Sequence, residues 1–571
     1  MTTDVTPNTT IDEAVGTLTA AKADWASSDL PHRLALLTGL KRRTGRAAER
    51  WVDAATAAKG IPEGSPLAGE EWISGPYALL MAIDALHTSL DRIWRGLTTY
   101  EDGSVRCHPD GRAIVDIMPF DWRDRLLLSG FRAEVWMQPG VKPDDLAANT
   151  AALYRNARPE GGVCLVLGAG NIASIPPLDI LYKMFAEGMV VIVKLNPVSD
   201  YLGPIFEDIF AEFVDGGLLR FAYGGSEVGR YLTQHPQVDA IHITGSQRTH
   251  DLIVFGSGPE AESRKQRGEP VLDKPMTSEL GGVSPAIVVP GPWNEADLRF
   301  QAEHFVTQRL HNGGFNCIAS QVLVVPDRWE HTDRFLELVE EAFDAAPERP
   351  AYYPGADDRR RSAADRHHDV VHLGADGGRS HLRNVAPDGT SHAFIEEFFA
   401  AAFATTRLRG DGPAEFLDAA VSLSNESLHG TLGATIMIHP ATITDLGDRF
   451  DAAITAMRYG CVGVNAWSGA GFLLPRAAWG GFPGAPLHDV ESGRGVVHNA
   501  LLFDRPEKTV VYGPFRPFHR ALGAREIHLS PKPPWFVTNK TAAATGKALT
   551  EFAADGKLTG LAKVFAAALR G

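Results

Sequence analysis

The first hundred residues show the apolar spacing of helices. From about residue 10 to residue 100, apolar side chains recur at helical spacing, as at Leu36 and Leu40, which is the pattern of a helix with one buried face. Thr10 is followed three positions later by Glu13, which resembles a capping box and predicts that the first helix begins there. We therefore expect a helical front end.

The pattern then changes to short extended runs. Between Val105 and Met137, runs such as 113–118 and 132–137 are rich in apolar and β-branched residues and are separated by proline and glycine. Such runs predict β-strands. The strands could form an arm that pairs with another subunit, or they could form an ordinary hairpin.

From residue 161 to residue 282 the chain alternates between strand and helix patterns. The apolar runs 162–167 and 190–194 predict strands, and 176–189 and 227–234 predict helices. Continuous apolar runs indicate strands buried on both faces, and helical crossovers imply a mostly parallel sheet. This is an α/β arrangement typical of nucleotide-binding domains.

A second α/β block extends from about residue 286 to residue 480. It is interrupted by the polar stretch 357–379, which we interpret as a solvated insertion; it contains His367 and His368, for which we expect no metal. The last 55 or so residues include an Ala-rich helical segment and are interpreted as a packing or subunit-contact extension.

Composition excludes several classes of function. The 571 residues carry a net charge of −15 and no long basic stripe, so nucleic-acid binding is not expected. The segment Met1–Pro7 does not read as a leader and no run could span a membrane, so we expect a cytoplasmic protein without a membrane partner. The four cysteines are far apart and favour neither disulfides nor a zinc site.

Two glycine-rich turns follow successive predicted strands. The turn 223–229 and the turn Thr244–Ser246 both lead into helices, and such turns let backbone and hydroxyl donors approach a pyrophosphate. A third turn, 168–173, imitates the dinucleotide turn of a Rossmann unit. The next strand, however, ends in Lys194 where that unit places an acidic residue. We therefore expect a different dinucleotide geometry, in which Lys194 reaches the adenosine ribose or its phosphate; the alternative is a surface lysine.

The candidate chemistry centres on a thiol and a carboxylate. Cys317 lies in a run of small and polar residues, and Glu279 ends an upstream segment that continues Leu-Gly-Gly. A thiol in such a turn, with a carboxylate supplied by another strand, suits covalent catalysis followed by attack of water.

The order of motifs along the chain resembles that of the aldehyde dehydrogenase superfamily. That pattern contains an Asn in a strand-to-helix turn, a strand-end Lys, T-G-S, E-L-G-G, a cysteine, E-x-F, an Asn-rich turn and G-G-[FY]. In this chain the corresponding residues are, in order, Asn171, Lys194, Thr244–Ser246, Glu279–Gly282, Cys317, Glu396–Phe399, Asn425–Gly433 and Trp479–Phe482. The resemblance covers roughly residues 150 to 510.

The resemblance implies a role for each catalytic position. Cys317 would be the nucleophile that adds to an aldehyde, and Glu279 would activate the water that releases the acyl group. Asn171 would donate its amide to the oxyanion, although it could instead cap the next helix. Glu397 would hold the nicotinamide ribose, with Glu396 as the alternative in register.

The resemblance also implies a dinucleotide cofactor. The residues expected at its adenosine and diphosphate half are Lys194, Gly225, Gly229, Gly245 and Ser246. Three positions after the strand-end lysine, where the family often has an acidic residue that clashes with a 2′-phosphate, this chain has Pro197. We therefore expect NAD or NADP as cofactor.

The chain departs from the family pattern at several positions. Phe315 stands where the family commonly has Gln, and the aromatic-Asn-aromatic-Pro turn is replaced at 170–174. The polar loop 256–269 and the C-terminal extension are additional. These differences indicate an atypical branch of the superfamily.

The expected organisation has three parts and a small arm. A helical part and a Rossmann-like domain occupy residues 1–282, with the arm at about 104–140. A catalytic α/β domain occupies 283–485, and a segment for packing or subunit contacts occupies 486–571.

The expected activity is NAD(P)-dependent oxidation of an aldehyde to a carboxylic acid by a homodimer or homotetramer. Two alternatives remain open, an acyl or fatty-acyl reductase that uses the same thioester chemistry and a nucleotide-binding scaffold subunit.

Overall fold

A computed structural model describes residues 5–521 and 526–571. Residues 1–4, which form most of the segment interpreted as lacking a leader, lie outside the described residues, as do residues 522–525 of the C-terminal extension. Among the described helices, none combines the length and the apolar content needed to cross a lipid bilayer.

Helices cover the front of the chain and both faces of the sheets. The helices of the described residues are α1 (Asn8–Ala26), α2 (Leu30–Ala58), α3 (Ala68–Trp72), α4 (Ala78–Trp94), α5 (Trp122–Leu127), α6 (Ala152–Arg155), α7 (Ile175–Phe185), α8 (Gly203–Ile209), α9 (Ala211–Asp215), α10 (Ser226–Gln234), α11 (Gln247–Phe255), α12 (Pro259–Arg267), α13 (Glu295–Leu310), α14 (Thr332–Ala345), α15 (Ala356–Asp365), α16 (His392–Ile395), α17 (Pro413–Ser427), α18 (Pro440–Leu446), α19 (Asp448–Ala456), α20 (Ala470–Leu473), α21 (Phe518–Ala521), α22 (Ala542–Asp555) and α23 (Leu558–Ala568).

The strands form two sheets. The strands of the described residues are β1 (Val105–Cys107), β2 (Ala113–Met118), β3 (Arg132–Met137), β4 (Val163–Leu167), β5 (Val190–Lys194), β6 (Leu219–Ala222), β7 (Ala240–Gly245), β8 (Met276–Leu280), β9 (Ser284–Val288), β10 (Ser320–Pro326), β11 (Val370–Leu373), β12 (Arg379–Leu382), β13 (Ala402–Leu408), β14 (Gly433–Met437), β15 (Cys461–Val464), β16 (Gly493–Arg494) and β17 (Pro506–Tyr512).

The first sheet has the order β16-β8-β7-β4-β5-β6 among the described residues. Its strands run parallel except β16, which is antiparallel to β8. Strands β4 and β5 are buried nearly throughout, because helices cover both faces of the sheet. The predicted parallel α/β sheet is confirmed.

The second sheet has the order β1-β2-β3-β17-β15-β14-β9-β10-β13-β12-β11 in the same described ranges. The strands from β17 to β12 in this order are parallel, whereas β3 pairs antiparallel with β17 and β11 pairs antiparallel with β12. The extended region 105–137 therefore pairs within its own chain, with the C-terminal strand. Strand β8 ends at Leu280 in the first sheet, and β9 begins at Ser284 in the second.

The helical front end is confirmed, but the capping box is wrong. Helix α1 begins at Asn8, and its N-cap residue Pro7 makes no side-chain hydrogen bond. Thr10 therefore already lies inside the first turn.

The stretch 357–379 is solvated as expected, since only Ala363, Ala364 and Arg379 are buried among its described residues, but it is part of the folded α/β block and does not interrupt it. The stretch contains α15 and β11, and β12 begins at its last residue. Ala363 and Ala364 are buried, so α15 has a packed face despite its charged residues. Arg379 is buried because its guanidinium donates to main-chain carbonyls, among them that of Ala346 at 2.8 Å. The polar composition of the stretch gave no sign of these elements. Its buried surface comes from small side chains and from one arginine whose guanidinium is hydrogen-bonded.

The C-terminal extension packs on the helical front end. A Cβ on Gly69 of α3 would overlap the backbone of Ala542 in α22, and a Cβ on Gly546 would press on Trp72. Glycine at these two positions therefore permits the close approach of α22 to α3.

Candidate active site

The residues expected from the sequence lie around one groove of about 1420 Å³. The groove follows the carboxyl ends of β4, β5 and β7 and continues to the second sheet. The expected residues that line it are Asn171, Lys194, Gly225, Gly229, Gly245, Ser246, Glu279, Cys317 and Glu397. In an open α/β sheet, ligands bind at this edge.

Cys317 and Glu279 are in direct contact inside the groove. The Cys317 thiol donates to Glu279 Oε1 at 3.2 Å. The indole Nε1 of Trp479 donates to the same oxygen at 2.9 Å and thus helps to hold the carboxylate in place. The resemblance placed Trp479 only beside a glycine turn and gave no reason for this hydrogen bond.

Burial sets the protonation of this pair. It raises the pKa of Glu279 to about 7, partly offset by the hydrogen bonds from Trp479 and Cys317. Burial also raises the pKa of the Cys317 thiol well above its usual value, and the carboxylates of Glu279 and Glu397 add to this effect. The resting sulfur is thus a neutral thiol whose proton points at a base with a pKa near neutrality.

A tight turn before Cys317 brings the nucleophile to the groove. Asn312, Gly313 and Gly314 have positive φ values of 53°, 68° and 83°. A Cβ on Gly314 would lie 2.8 Å from the carbonyl oxygen of Ala400, so glycine is required for this approach.

The side chain of Asn171 points at the nucleophile loop. Its Nδ2 donates to the carbonyl oxygen of Phe315 at 2.9 Å, and an amide nitrogen has a second hydrogen to donate. The alternative that Asn171 caps the next helix is wrong, because α7 begins at Ile175 with Ser174 as its N-cap residue.

A buried ion network from the front helices holds the Asn171 backbone. Lys59 Nζ lies 2.8 Å from Glu71 and donates to the Asn171 carbonyl oxygen at 3.2 Å. Tyr352 and Asn312 donate to the same carbonyl at 3.0 Å each. Lys59 and Glu71 were not predicted, since their partners lie far away in the sequence and no local motif marks them.

The other end of the groove carries features suited to an anion. Helices α10 and α11 begin beside it, with Gly225 and Ser246 as their N-cap residues, and helix N-termini attract phosphate groups. A Cβ on Gly225 would meet no atom within 4 Å, so glycine keeps this part of the groove open. Burial lowers the pKa of Lys194 to about 8, and Asp200 counteracts part of that effect. These donors fit the diphosphate and adenosine of a dinucleotide.

Glu397, and not Glu396, faces the groove. Glu396 pairs with Arg366 at 2.7 Å, and its side chain is 52% exposed. Burial raises the pKa of Glu397 to about 8, with Arg309 acting in the opposite direction, and its Oε1 is buried without a hydrogen-bond partner among the described residues. A Cβ on Gly281 would overlap this carboxylate, so the first glycine of E-L-G-G makes room for it.

Three aromatic or basic residues that line the groove were assigned no role from the sequence. Tyr353, Arg359 and Phe399 line the groove, and Arg359 Nη2 donates to the carbonyl oxygen of Phe399 at 3.1 Å. Phe315, which replaces the Gln common in the family, lies with its ring centroid 5.8 Å from that of Tyr353. Arg359 lies in the stretch 357–379 that was interpreted as an insertion, and Tyr353 lies just before it.

Comparison with known proteins agrees with this geometry. Residues 137–356 match the model of the aldehyde dehydrogenase family. A 1-pyrroline-5-carboxylate dehydrogenase of Bacillus subtilis (strain 168) is 24% identical over 316 residues, which are 52% of this chain and 59% of that protein. The chain thus spans about three fifths of the length of such curated relatives.

Solved structures match over a longer span. An aldehyde dehydrogenase of Mycobacterium tuberculosis in complex with NAD+ has a TM-score of 0.59 at 17% identity, covering 89% of this chain and 91% of that one. An NADP-dependent glyceraldehyde-3-phosphate dehydrogenase of Bacillus halodurans C-125, complexed with NADP, has a TM-score of 0.58 at 18% identity, covering 88% and 91%.

The fold is therefore that of the aldehyde dehydrogenases. The match of segment 137–356 to the model of the aldehyde dehydrogenase family confirms the resemblance drawn from the motifs.

Proposed function

We propose that this chain is an NAD(P)-dependent aldehyde dehydrogenase that oxidises an aldehyde to a carboxylic acid through a thioester on Cys317. The contact of 3.2 Å between the Cys317 thiol and Glu279, at one end of a groove with two helix N-termini at the other, is the observation that carries this proposal.

The first half of the reaction forms a bond between sulfur and carbon. As Cys317 Sγ adds to the aldehyde carbon, Glu279 accepts the thiol proton, because the thiol already donates to it. The free N–H of Asn171 Nδ2 would stabilise the oxyanion, an effect of about 3 kcal/mol per donor. When bound, a nicotinamide would supply the acceptor for the hydride that leaves this carbon.

The second half hydrolyses the thioester. Glu279, once deprotonated, takes a proton from water while the water oxygen attacks the acyl carbon. Collapse of the tetrahedral species breaks the carbon–sulfur bond, and the acid proton of the product returns to the sulfur. The carboxylate leaves and the thiol is restored.

The cofactor residues follow from the two ends of the groove. Lys194 and the starts of α10 and α11 would hold the adenosine ribose and the diphosphate, and Glu397 would hold the nicotinamide ribose. Pro197 places no carboxylate against a 2′-phosphate, so both NAD and NADP are proposed. The two solved relatives named above contain NAD+ and NADP, respectively.

We propose that the substrate is apolar. A second cavity of about 420 Å³ lies between α4, α5, α20 and the C-terminal extension, and its volume suits a small organic molecule. Cys317 packs against the same hydrophobic cluster that supplies part of the cavity wall. Apolar residues of that wall include Tyr77, Met81, Leu128, Leu474, Trp535 and Phe552, and charged residues such as Asp84 and Arg123 also line it.

Hydrolysis is favoured over the reductase alternative because Glu279 contacts the nucleophile directly, where it can serve a water molecule. The scaffold alternative has no use for a thiol and a carboxylate of this geometry.

We also propose a homodimer or homotetramer, since β1 ends the large sheet among the described strands and can accept another strand. All four cysteines are unpaired, which supports a cytoplasmic location.

An aldehyde screen with both nicotinamide cofactors tests the proposal. We expect formation of NADH or NADPH without added coenzyme A, a carboxylic acid product, and a rate that rises with the length of an aliphatic aldehyde. Dependence on coenzyme A, or nucleotide binding without turnover of any aldehyde, would contradict it.

A further inference from the structure

A ladder of polar side chains crosses the buried face of the first sheet. Strands β7 and β8 are parallel, and His242 lies opposite Thr277 while Thr244 lies opposite Glu279. Opposed residues of neighbouring strands project to the same face, as do residues two apart on one strand. All of these side chains therefore share one face, and His242 Nδ1 lies 2.9 Å from Thr277 Oγ1.

Helix α7 covers this ladder with one buried acid. Asp179 is fully buried, its Oδ2 accepts from Thr244 Oγ1 at 2.9 Å, and the same Oδ2 lies 3.6 Å from His242 Nε2. The ladder thus links the strand position beside Glu279 to a carboxylate and an imidazole that the reaction steps above do not use.

The ladder reaches the protein surface at its other end. Lys183, one helical turn after Asp179, has its Nζ 2.9 Å from Thr277 Oγ1 and 2.6 Å from Glu187 Oε1. The side chain of Lys183 is 2% exposed, whereas that of Glu187 is 31% exposed. Polar groups therefore lead from Asp179 to solvent.

Unpartnered polar atoms lie at the inner end. Among the described residues, Glu279 Oε2, Asp179 Oδ1 and both ring nitrogens of His498 are buried without a hydrogen-bond partner. His498 Nε2 lies 4.0 Å from Asp179 Oδ1. The His498 ring contacts Phe472, which also packs on Trp479, the donor to Glu279. Buried polar atoms of this kind are normally satisfied, and where no protein group does so, ordered water can be the partner.

The chemistry of the proposed function requires an exit for protons. One aldehyde, one water and one oxidised nicotinamide yield a carboxylate, a reduced nicotinamide and two protons. Glu279 takes the first proton from Cys317 and must release it before it can take the second from water. Since bound substrate and cofactor would narrow the open side of the groove at that moment, a path through the protein interior would serve this release.

We propose that Asp179, His242 and His498 form a proton relay that carries protons from Glu279 to Lys183 and Glu187 at the surface. The proposal rests on the proposed function. A proton passes from the Glu279 carboxyl, through water, to His498 or Asp179, and from there to His242 Nε2. Lys183 first gives one ammonium proton to Glu187, which passes it to solvent, and the neutral amine then takes the Thr277 hydroxyl proton as that hydroxyl accepts the proton of His242 Nδ1. Each transfer moves one proton, and every group returns to its starting charge.

The replacement Asp179→Asn tests the relay with little change in shape. The amide oxygen still accepts from Thr244, but the side chain no longer carries a proton. We expect the initial burst of NAD(P)H to stay within twofold of the unmodified chain, because Glu279 can keep the first proton. The steady-state rate should fall tenfold or more, the solvent deuterium isotope effect on it should rise, and intact-protein mass spectrometry should show Cys317 acylated during turnover.

Two further variants complete the test. His498→Gln should likewise keep the burst of NAD(P)H and lower the steady-state rate. This variant decides the outcome if Asp179→Asn does not fold. His304→Gln, in α13, is the matched control, because His304 is also buried but packs on Phe536; its steady state should stay within twofold.

The outcomes separate the relay from the proposed function. Steady-state rates within twofold for both relay variants, or an equal loss of burst and steady state, would overturn the relay while the unmodified chain still shows its burst. Absence of a burst from the unmodified chain with any aldehyde would overturn the proposed function, and the relay with it.

Discussion

Lys59 Nζ lies 3.2 Å from the carbonyl oxygen of Asn171, although 112 residues separate them in the sequence. The ammonium is buried and pairs with Glu71, so the front helices and the groove share one ion network. The position of the Asn171 amide therefore depends on Lys59, the C-cap residue of α2.

Lys59→Met should destabilise the protein and weaken catalysis together. It removes one of the two cations beside the buried Glu71 carboxylate, with Arg349 remaining at 3.3 Å, which costs up to about 3 to 5 kcal/mol, and it removes one of the hydrogen bonds to the Asn171 carbonyl. We expect a lower free energy of unfolding in urea and a lower kcat/KM with little change in cofactor Kd. The double variant Lys59→Met with Glu71→Leu should recover most of the stability but not the activity. Full activity in either variant would contradict this role.

Cys317→Ala should remove turnover and leave cofactor binding nearly unchanged. The thiol is the atom that bonds to the substrate in the proposed steps, and we expect a loss of roughly 10⁴-fold or more. Titration calorimetry should give a Kd for NAD or NADP within about twofold of the unmodified chain. Cys107→Ala, at an exposed thiol, is the control, and it should keep its activity.

Glu279→Gln should separate the two halves of the reaction. The amide cannot accept the water proton, so the acyl group stays on Cys317. We expect a burst of NAD(P)H, slower than in the unmodified chain because the thiol also loses its base, and then a stall. Stopped-flow absorbance measures both phases. An unchanged steady-state rate would exclude Glu279 as the base.

The pH dependence of the steady state should report Glu279. The base form exists above its pKa, which burial raises to about 7, so the rate should rise with pH through about 7 and level off above 8. Trp479→Phe removes a hydrogen bond that stabilises the charged form, so the midpoint should move up by about one pH unit. The measurement is the pH profile of kcat for both proteins. A midpoint that moves down, or stays, would contradict the assigned cause.

Local pattern carried much of this protein's organisation. The apolar runs of β4 and β5 identified the parallel sheet. A strand that is buried on both faces shows as a continuous apolar run in the sequence, so its contacts need not be known. Cys317, Glu279, Lys194 and the turn Thr244–Ser246 were identified from their local sequence and from the order of motifs that resembles the aldehyde dehydrogenases.

Only the tertiary structure decided the rest. Burial distinguished Glu397 from its neighbour Glu396, and long-range contact alone assigned Trp479 to Glu279 and Lys59 to Asn171. The charged sequence of α15 concealed a folded element, because its few small buried residues leave no apolar periodicity to read. These features depend on which distant segments pack together. The free energy of that packing comes from contacts between side chains far apart in the chain, so no local pattern reveals it.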